Sequence, residues 1–224
     1  MKMKPLLCLV ASVLFTVAAT AQTPAAAPAS TAQPDQPVTP YEEMVKSKPV
    51  EINGLAFVAA VQAQWLAWNP PSGQDPVEVQ LLITNTTKKD LIFKVFDTFG
   101  LIIKDANGKE VPLGGGRDGT LRTKPVLIRT GDTYCLSRKA SVGWSDEHHH
   151  SFSYADGTGS WFNGKGLAAG KYSLAFGVGA KGTNNDMQEF IKRYGFTGEV
   201  PGVWEGEGKT NEVAFEIVDP PAEK

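Results

Sequence analysis

The sequence predicts an all-β protein, an antiparallel β-sandwich that also contains one short helix. Four stretches of the chain carry apolar residues at every second position, as strands do when one face is buried. Turn-forming residues separate these stretches, and helical spacing occurs in only one segment. The alternating apolar residues are Leu55, Phe57, Ala59, Val61, Ala63 and Trp65; Val77, Val79, Leu81 and Ile83; Tyr172, Leu174, Phe176 and Val178; and Val213, Phe215 and Ile217.

Turn signals lie between the predicted strands. Residues 85–90, NTTKKD, follow the second alternating stretch, and the Asn-Gly pair at 107–108 accepts positive φ in a tight hairpin. Residues 130–132, TGD, and residues 168–171, AAGK, have a similar composition. Strands separated by turns of this kind favour an antiparallel sandwich.

One segment has the pattern of a helix, which we expect near residues 185–194. Asn residues precede it, acidic residues lie in its first half, basic residues lie near its end, and Gly195 follows it. The apolar residues on its one buried face are Met187, Phe190, Ile191 and Tyr194.

The first 21 residues have the layout of a secretory signal peptide. A short basic start contains Lys2 and Lys4, an uncharged apolar stretch runs from Leu6 to Ala19, and small residues precede Gln22. The apolar stretch is too short to cross a bilayer comfortably. We therefore expect the mature chain to be exported, to the periplasm or to the extracellular space.

The rest of the chain divides by composition. Residues 22–40 are rich in Ala, Pro, Thr, Ser and Gln and have almost no large apolar side chain, so we expect a disordered tether. Residues 220–224 form a short disordered tail by the same reasoning. Residues 41–219 have a length suited to one domain, and we assign the β-sandwich to them.

The net charge argues against two kinds of partner, and the cysteine content argues against an internal disulfide. Cleavage of the signal peptide reduces 22 basic residues to 20 against 24 acidic ones, so the formal net charge moves from −2 to −4. A mild negative charge argues against nucleic acid and anionic membranes as partners. Cleavage also removes Cys8, which leaves Cys135 without a partner for an internal disulfide.

All three histidines lie in one stretch, DEHHHSFSYADGTGS, which runs from Asp146 to Ser160. In a strand, His148 and His150 would point to the same side, where Asp146 could add an oxygen ligand. Zinc sites need ligands in a fixed tetrahedral geometry, and no distant histidine completes one. We favour a solvated loop with no metal, and the weak metal candidates are His148, His150 and Asp146, with Glu147 as an alternative oxygen ligand. The following residues, DGTGS, favour a turn over a calcium loop.

A catalytic set is not recognisable in the sequence. No Gly-x-Ser-x-Gly elbow is present, and the histidines are confined to one loop. Cys135 falls within a predicted strand, where we expect it to act as a small apolar side chain. We therefore expect a protein that is not an enzyme and that needs no cofactor.

The five tryptophans are the remaining functional signal. Trp65 belongs to an alternating apolar stretch and is expected in the core. The others, Trp68, Trp144, Trp161 and Trp204, lie near predicted loops or strand ends. Exposed aromatic rings there could anchor a protein partner or stack on sugars, whereas buried rings would seal the open ends of the sandwich. We take Trp144, Trp161 and Trp204 as the candidate binding residues.

Residues 167–174, LAAGKYSL, match the L-x-x-G-x-Y-x-L pattern that is common in immunoglobulin-like sandwiches. The resemblance implies a single immunoglobulin-like sandwich. It also implies a structural role for Tyr172, whose hydroxyl would close a corner by bonding back to the upstream backbone.

Residues 77–178 resemble the bacterial intracellular proteinase inhibitor family. The shared features are a strand that ends in Asn85-Thr86, a Phe-Asp pair at 96–97, the D-x-x-G-K-E-V hairpin at 105–111, and a closing G-x-Y strand at 170–172. The signal peptide and the segment from 179 to 208 depart from that pattern. The whole chain also resembles secreted bacterial proteins in which an Ala/Pro-rich tether precedes one such sandwich.

We therefore predict an exported, non-catalytic interaction domain that recognises a protein partner through its end loops. Three alternatives stay open: a proteinase-inhibitor-like module, a carbohydrate-binding module for an envelope polysaccharide, and a metal-assisted hydrolase that uses the His148–His150 loop. Neither nucleic acid nor stable membrane insertion is expected after cleavage of the signal peptide.

Overall fold

The computed structural model describes residues 44–67, 74–95, 98–117, 125–146, 148–157, 160–180 and 200–219, all within one compact unit, residues 39–224. These residues are all-β, which confirms the all-β part of the predicted fold class. The predicted signal peptide 1–21, tether 22–40, helix 185–194 and tail 220–224 lie outside the described residues, as does Trp68. The described part has no helix of the length and hydropathy that a membrane span requires.

The described residues form sixteen strands. In chain order they are β1 (Met44–Lys46), β2 (Val50–Ile52), β3 (Leu55–Gln62), β4 (Gln64–Leu66), β5 (Gln74–Asn85), β6 (Leu91–Phe93), β7 (Phe99–Asp105), β8 (Gly114–Arg117), β9 (Val126–Ile128), β10 (Thr133–Trp144), β11 (His150–Ala155), β12 (Ser160–Leu167), β13 (Gly170–Ala180), β14 (Gly202–Val203), β15 (Gly206–Lys209) and β16 (Val213–Val218).

The larger sheet contains eight antiparallel strands in the order β1-β3-β5-β10-β11-β12-β8, and β2 also pairs with β3. Its centre is the long β5–β10 pair, in register from Thr84 opposite Thr133 to Gln74 opposite Gly143. β8 ends the sheet on one side, where Gly116 lies opposite Trp161 of β12.

The second sheet is built around β13. β7 pairs with one edge of β13. On the other edge, β16 pairs with the first half of β13 and β15 with its last four residues. β4 lies parallel to β16. A third, three-stranded sheet has the order β14-β6-β9, in which β14 and β6 are parallel.

The inner faces of the two larger sheets share one hydrophobic core. Trp65 of β4 stacks on Phe152 of β11 and on Phe215 of β16, with ring centroids 5.2 and 3.8 Å apart. Tyr154 of β11 contacts Phe176 of β13 at 6.4 Å. The alternating residues of β3, β5, β13 and β16 are buried in this cluster, as their period of two predicted.

The first alternating stretch of the sequence serves both sheets. From Leu55 to Trp65 the alternation suggests one continuous strand, but a bend at Ala63 divides it into β3 and β4. β3 belongs to the larger sheet and β4 to the second sheet. Trp65 remains fully buried after the bend, so the alternation continues although the chain changes layers. Strands that change sheets at a bend form the corners between packed layers.

Candidate functional site

His150 begins β11 and is a buried structural residue. Its Nδ1 lies 3.3 Å from the carbonyl oxygen of Leu167, and its Nε2 lies 3.3 Å from Oδ1 of Asp219, within the distance of an ion pair. Its ring packs against Trp144, with centroids 4.4 Å apart. Because a carbonyl only accepts, Nδ1 is the nitrogen that donates in this contact. The imidazole therefore joins the ends of β10, β11, β12 and β16.

The other two histidines belong to the exposed turn before β11. The backbone N–H of His148 donates to Oδ1 of Asp146 at 2.9 Å, and Nδ1 of His149 lies 2.8 Å from the same oxygen. These contacts, the backbone hydrogen bond first, hold the pKa of Asp146 below its usual value. Asp146 thus engages His149, the histidine that strand alternation assigned to the opposite side.

The structure does not assemble the metal candidates into a site. β11 begins only at His150, so strand alternation does not extend back to His148. His148 is exposed, whereas His150 is completely buried. Within the ranges that the structure describes, no group of three or more His, Cys, Asp or Glu side chains could hold a metal ion.

Asp156 closes the hairpin between β11 and β12. Its Oδ1 accepts the backbone N–H of Ser160 at 2.9 Å, and its own N–H donates to the carbonyl of Ser160 at 3.0 Å. Nε of Arg138 donates to the Asp156 carbonyl at 2.7 Å, and Gly157 has a φ of 67°. These bonds form the predicted turn from the residues that resemble a calcium loop.

Tyr172 makes the bond that is typical of a tyrosine corner. Its hydroxyl donates to the carbonyl of Ala168 at 2.8 Å, four residues upstream. Its ring stacks on Phe215 with centroids 5.6 Å apart. Burial raises the pKa of Tyr172 above its usual value.

Cys135 lies in β10, but its side chain points away from the core. Leu136, the next residue, is the one that is buried, and Cys135 is exposed on the outer face of the larger sheet. The expectation that Cys135 packs as an apolar side chain is therefore wrong, because Leu136 and not Cys135 faces the core. Desolvation raises the pKa of the Cys135 thiol, with a smaller contribution from Glu78.

Trp204 is part of the core and is not a surface anchor. Only 2% of the residue is exposed. Its Nε1 donates to the carbonyl of Ile52 at 3.0 Å, and its ring contacts Phe57 and Phe93 at centroid distances of 5.3 and 5.4 Å. This placement excludes Trp204 from the binding residues that the sequence suggested, because contacts remote in sequence enclose it.

Trp144 is half-buried at the end of β10. Its Nε1 donates to the carbonyl of Ala67 at 3.2 Å, and its ring covers His150. Both the N–H group and the ring of Trp144 therefore make contacts within the domain. Trp144 seals one end of the core, which was the alternative role that the sequence allowed.

Trp161 is the one candidate anchor that the structure places on the surface. It lies within β12, on the outer face of the larger sheet, and 42% of the residue is exposed. A Cβ atom on Gly116 would overlap its indole, lying 2.7 Å from Cη2, so the ring covers this glycine. Trp161 therefore stands beside an edge strand and not in an end loop.

Small or neutral polar residues surround Trp161 on this face. Ala155 of β11 lies opposite Trp161 on one side, and Gly116 of β8 lies opposite it on the other. Asn163 is exposed two residues further along β12, and half-buried Ser153 is its partner on β11. We call Trp161, Asn163, Ala155, Ser153 and strand β8 the Trp161 surface.

Strand β8 was missed in the sequence. Its Gly114-Gly115-Gly116 run has no strand pattern, because glycine is depleted in strands. The sequence signal that could have indicated β8 is Trp161, since an aromatic ring can cover glycine on a neighbouring strand.

No protein-family model matches this chain, and no curated protein matches it. The resemblance to the proteinase inhibitor family therefore stays a prediction.

Proposed function

We propose that this chain is an exported, non-catalytic binding domain that recognises a protein partner through the Trp161 surface. The observation that carries the proposal is the exposure of Trp161 within a regular strand. Of the large apolar residues exposed in the described ranges, Val45, Trp161 and Val200, only Trp161 is aromatic. Tryptophan is enriched among the residues that contribute most to protein–protein binding.

We also propose that the two larger sheets form one immunoglobulin-like sandwich. The shared core between their inner faces and the Tyr172–Ala168 hydrogen bond support this assignment. The fold does not by itself choose the binding surface, so the choice rests on the exposed side chains. The end loops are a weaker choice here, because Trp144 and Trp204 are used inside the domain.

Burial of Trp161 would contribute substantially to affinity. Its exposed part amounts to about 100 Å² of mostly apolar area, and covering that area yields about 2 kcal/mol. Such a gain corresponds to roughly a thirtyfold change in the dissociation constant.

Affinity capture from the native envelope and extracellular fractions tests the proposal. The bait is the mature chain, compared with Trp161→Ala and with Val45→Ala. Val45 is a matched control, because it is 39% exposed and lies on β1 at the opposite end of the same sheet. We expect a protein that the wild type and Val45→Ala retain and that Trp161→Ala loses. Equal recovery by all three baits would contradict the proposal.

Carbohydrate binding is the second candidate, and the neutral polar residues beside the ring favour it. Asn163 and Ser153 could hydrogen-bond sugar hydroxyls while the pyranose ring stacks on Trp161. Titration with a panel of envelope polysaccharides should then change the tryptophan fluorescence of the wild type and not of Trp161→Ala. A panel that leaves the wild-type spectrum unchanged removes this candidate.

A further inference from the structure

β8 is an edge strand made of almost bare backbone. Within the described residues it pairs with β12 on one side and with no strand on the other. Such an edge presents N–H and C=O groups that have no partner in the sheet. Three of its four residues are glycine, and Gly114 and Gly115 are exposed while the Trp161 ring covers Gly116.

Contacts with Trp161 enforce the glycines at the middle of β8. A Cβ atom on Gly115 would overlap the carbonyl oxygen of Trp161, and one on Gly116 would overlap the indole ring. A Cβ atom on Gly114 would lie 3.7 Å from the carbonyl oxygen of Asn163, an ordinary contact. Side chains are thus excluded where β8 passes Trp161, and they are tolerated one step before it.

The opposite edge of the larger sheet, strand β1, carries the features that normally block an added strand. β1 is only three residues long and exposes Lys46. In the second sheet, β15 exposes Glu207 and Lys209. Short length and charged side chains are the usual protection of sheet edges. β8 is also short, four residues, and ends in Arg117, but its first three residues carry neither a charge nor a proline.

We propose that β8 accepts an extended segment of the partner protein as an added strand, with an apolar side chain of that segment packed on Trp161. This inference rests on the proposed function. Neighbouring strands lie about 4.8 Å apart, so a residue opposite Gly116 would stand next to the indole. Gly116 has no side chain to separate the two.

The chemistry of the edge selects a polypeptide over a glycan. An added strand offers donors and acceptors at the spacing of the β8 backbone, and pockets beside the edge then select its side chains. A sugar could stack on Trp161, but its hydroxyls do not repeat at the spacing of the β8 backbone groups.

Peptide selection on the intact mature chain provides the probe. A phage-displayed library of random linear peptides is selected on the wild type, and peptides that bind Val45→Ala but not Trp161→Ala are kept. Each kept peptide is then synthesised with one N-methylated backbone amide at a time. N-methylation removes a donor and blocks one edge of a strand.

Strand addition predicts an alternating result. N-methylation at every second position should weaken binding by about tenfold, because it removes a bond to β8, while the positions between should tolerate it. Bound peptide should also slow hydrogen exchange at the amides of β8 that point away from β12. These readouts use the wild-type protein, so they do not depend on how Trp161→Ala affects the pairing of β8.

The failures of the two proposals are separable. A flat N-methylation profile, or unchanged exchange in β8, overturns strand addition and leaves recognition through Trp161 standing. A selection that yields no Trp161-dependent peptide also overturns strand addition. Recognition of a protein partner fails separately, when native-fraction capture shows no dependence on Trp161.

Discussion

The hydroxyl of Tyr172 donates a hydrogen bond to the carbonyl of Ala168, and the two atoms are 2.8 Å apart. The bond ties the start of β13 to the turn that precedes it. Tyr172→Phe removes the bond and leaves the Ala168 carbonyl without this donor. We expect a loss of about 1 kcal/mol in the free energy of unfolding, measured by urea denaturation.

Tyr154→Phe is the matched control for this substitution. The Tyr154 hydroxyl is buried and makes no hydrogen bond within the described residues, so its removal should leave stability unchanged or slightly higher. Equal losses in the two variants would show that the Ala168 bond has no special role.

The three glycines of β8 should respond differently to alanine. Gly115→Ala meets backbone and should cost about 2 kcal/mol, whereas Gly116→Ala meets a side chain that can rotate and should cost about 1 kcal/mol. Gly114→Ala should change stability by less than about 0.5 kcal/mol. Thermal unfolding of the three variants checks the order, and a uniform response would mean that β8 does not pass Trp161 closely.

His150→Ala should destabilise the domain, because His150 is buried whereas the two neighbouring histidines are exposed. The substitution opens a cavity under Trp144 and removes the contacts with Leu167 and Asp219, so we expect a loss of about 2–4 kcal/mol. His149→Ala alters an exposed side chain and should stay within about 0.5 kcal/mol. Urea denaturation compares them, and similar stabilities would contradict the buried position of His150.

The Lys104–Glu212 pair should give a pH-dependent contribution to stability. Nζ of Lys104 lies 2.6 Å from Oε1 of Glu212, and Ser173 donates to the other oxygen at 2.8 Å. The Lys104 hydrogen bond, followed by that of Ser173, lowers the pKa of Glu212, and Glu212 raises the pKa of Lys104. A lowered carboxyl pKa stabilises the fold above the unfolded value of about 4.3, and this contribution is lost as pH falls through the folded pKa.

Glu212→Gln should therefore lower the Tm at pH 7, and the difference from the wild type should shrink at acidic pH. High salt should shrink it too, because the pair is partly exposed. The control is Glu207→Gln, which changes an exposed carboxylate on β15. A difference that persists unchanged at about pH 3 would show that the charge of Glu212 is not its cause.

The candidate site was only partly predictable, as the three tryptophans show. Sequence position places Trp144, Trp161 and Trp204 alike near strand ends or loops. Their exposure depends on partners far along the chain, namely Ala67 for Trp144, Gly116 for Trp161 and Ile52 for Trp204. Local pattern carries no information on such partners, so it could name the candidates but not choose among them.

The sequence by itself determined the all-β class and the buried face of β3, β5, β13 and β16. It also predicted the turn at Asp156, and its resemblance to immunoglobulin-like sandwiches implied the backbone hydrogen bond of Tyr172. These features are local, because the period of two and the turn residues act within a few positions. Tertiary structure alone decided the division of β3 from β4, the burial of His150 and Trp204, and the existence of β8. Each of these depends on which distant strand lies alongside, and short-range periodicity does not encode that pairing.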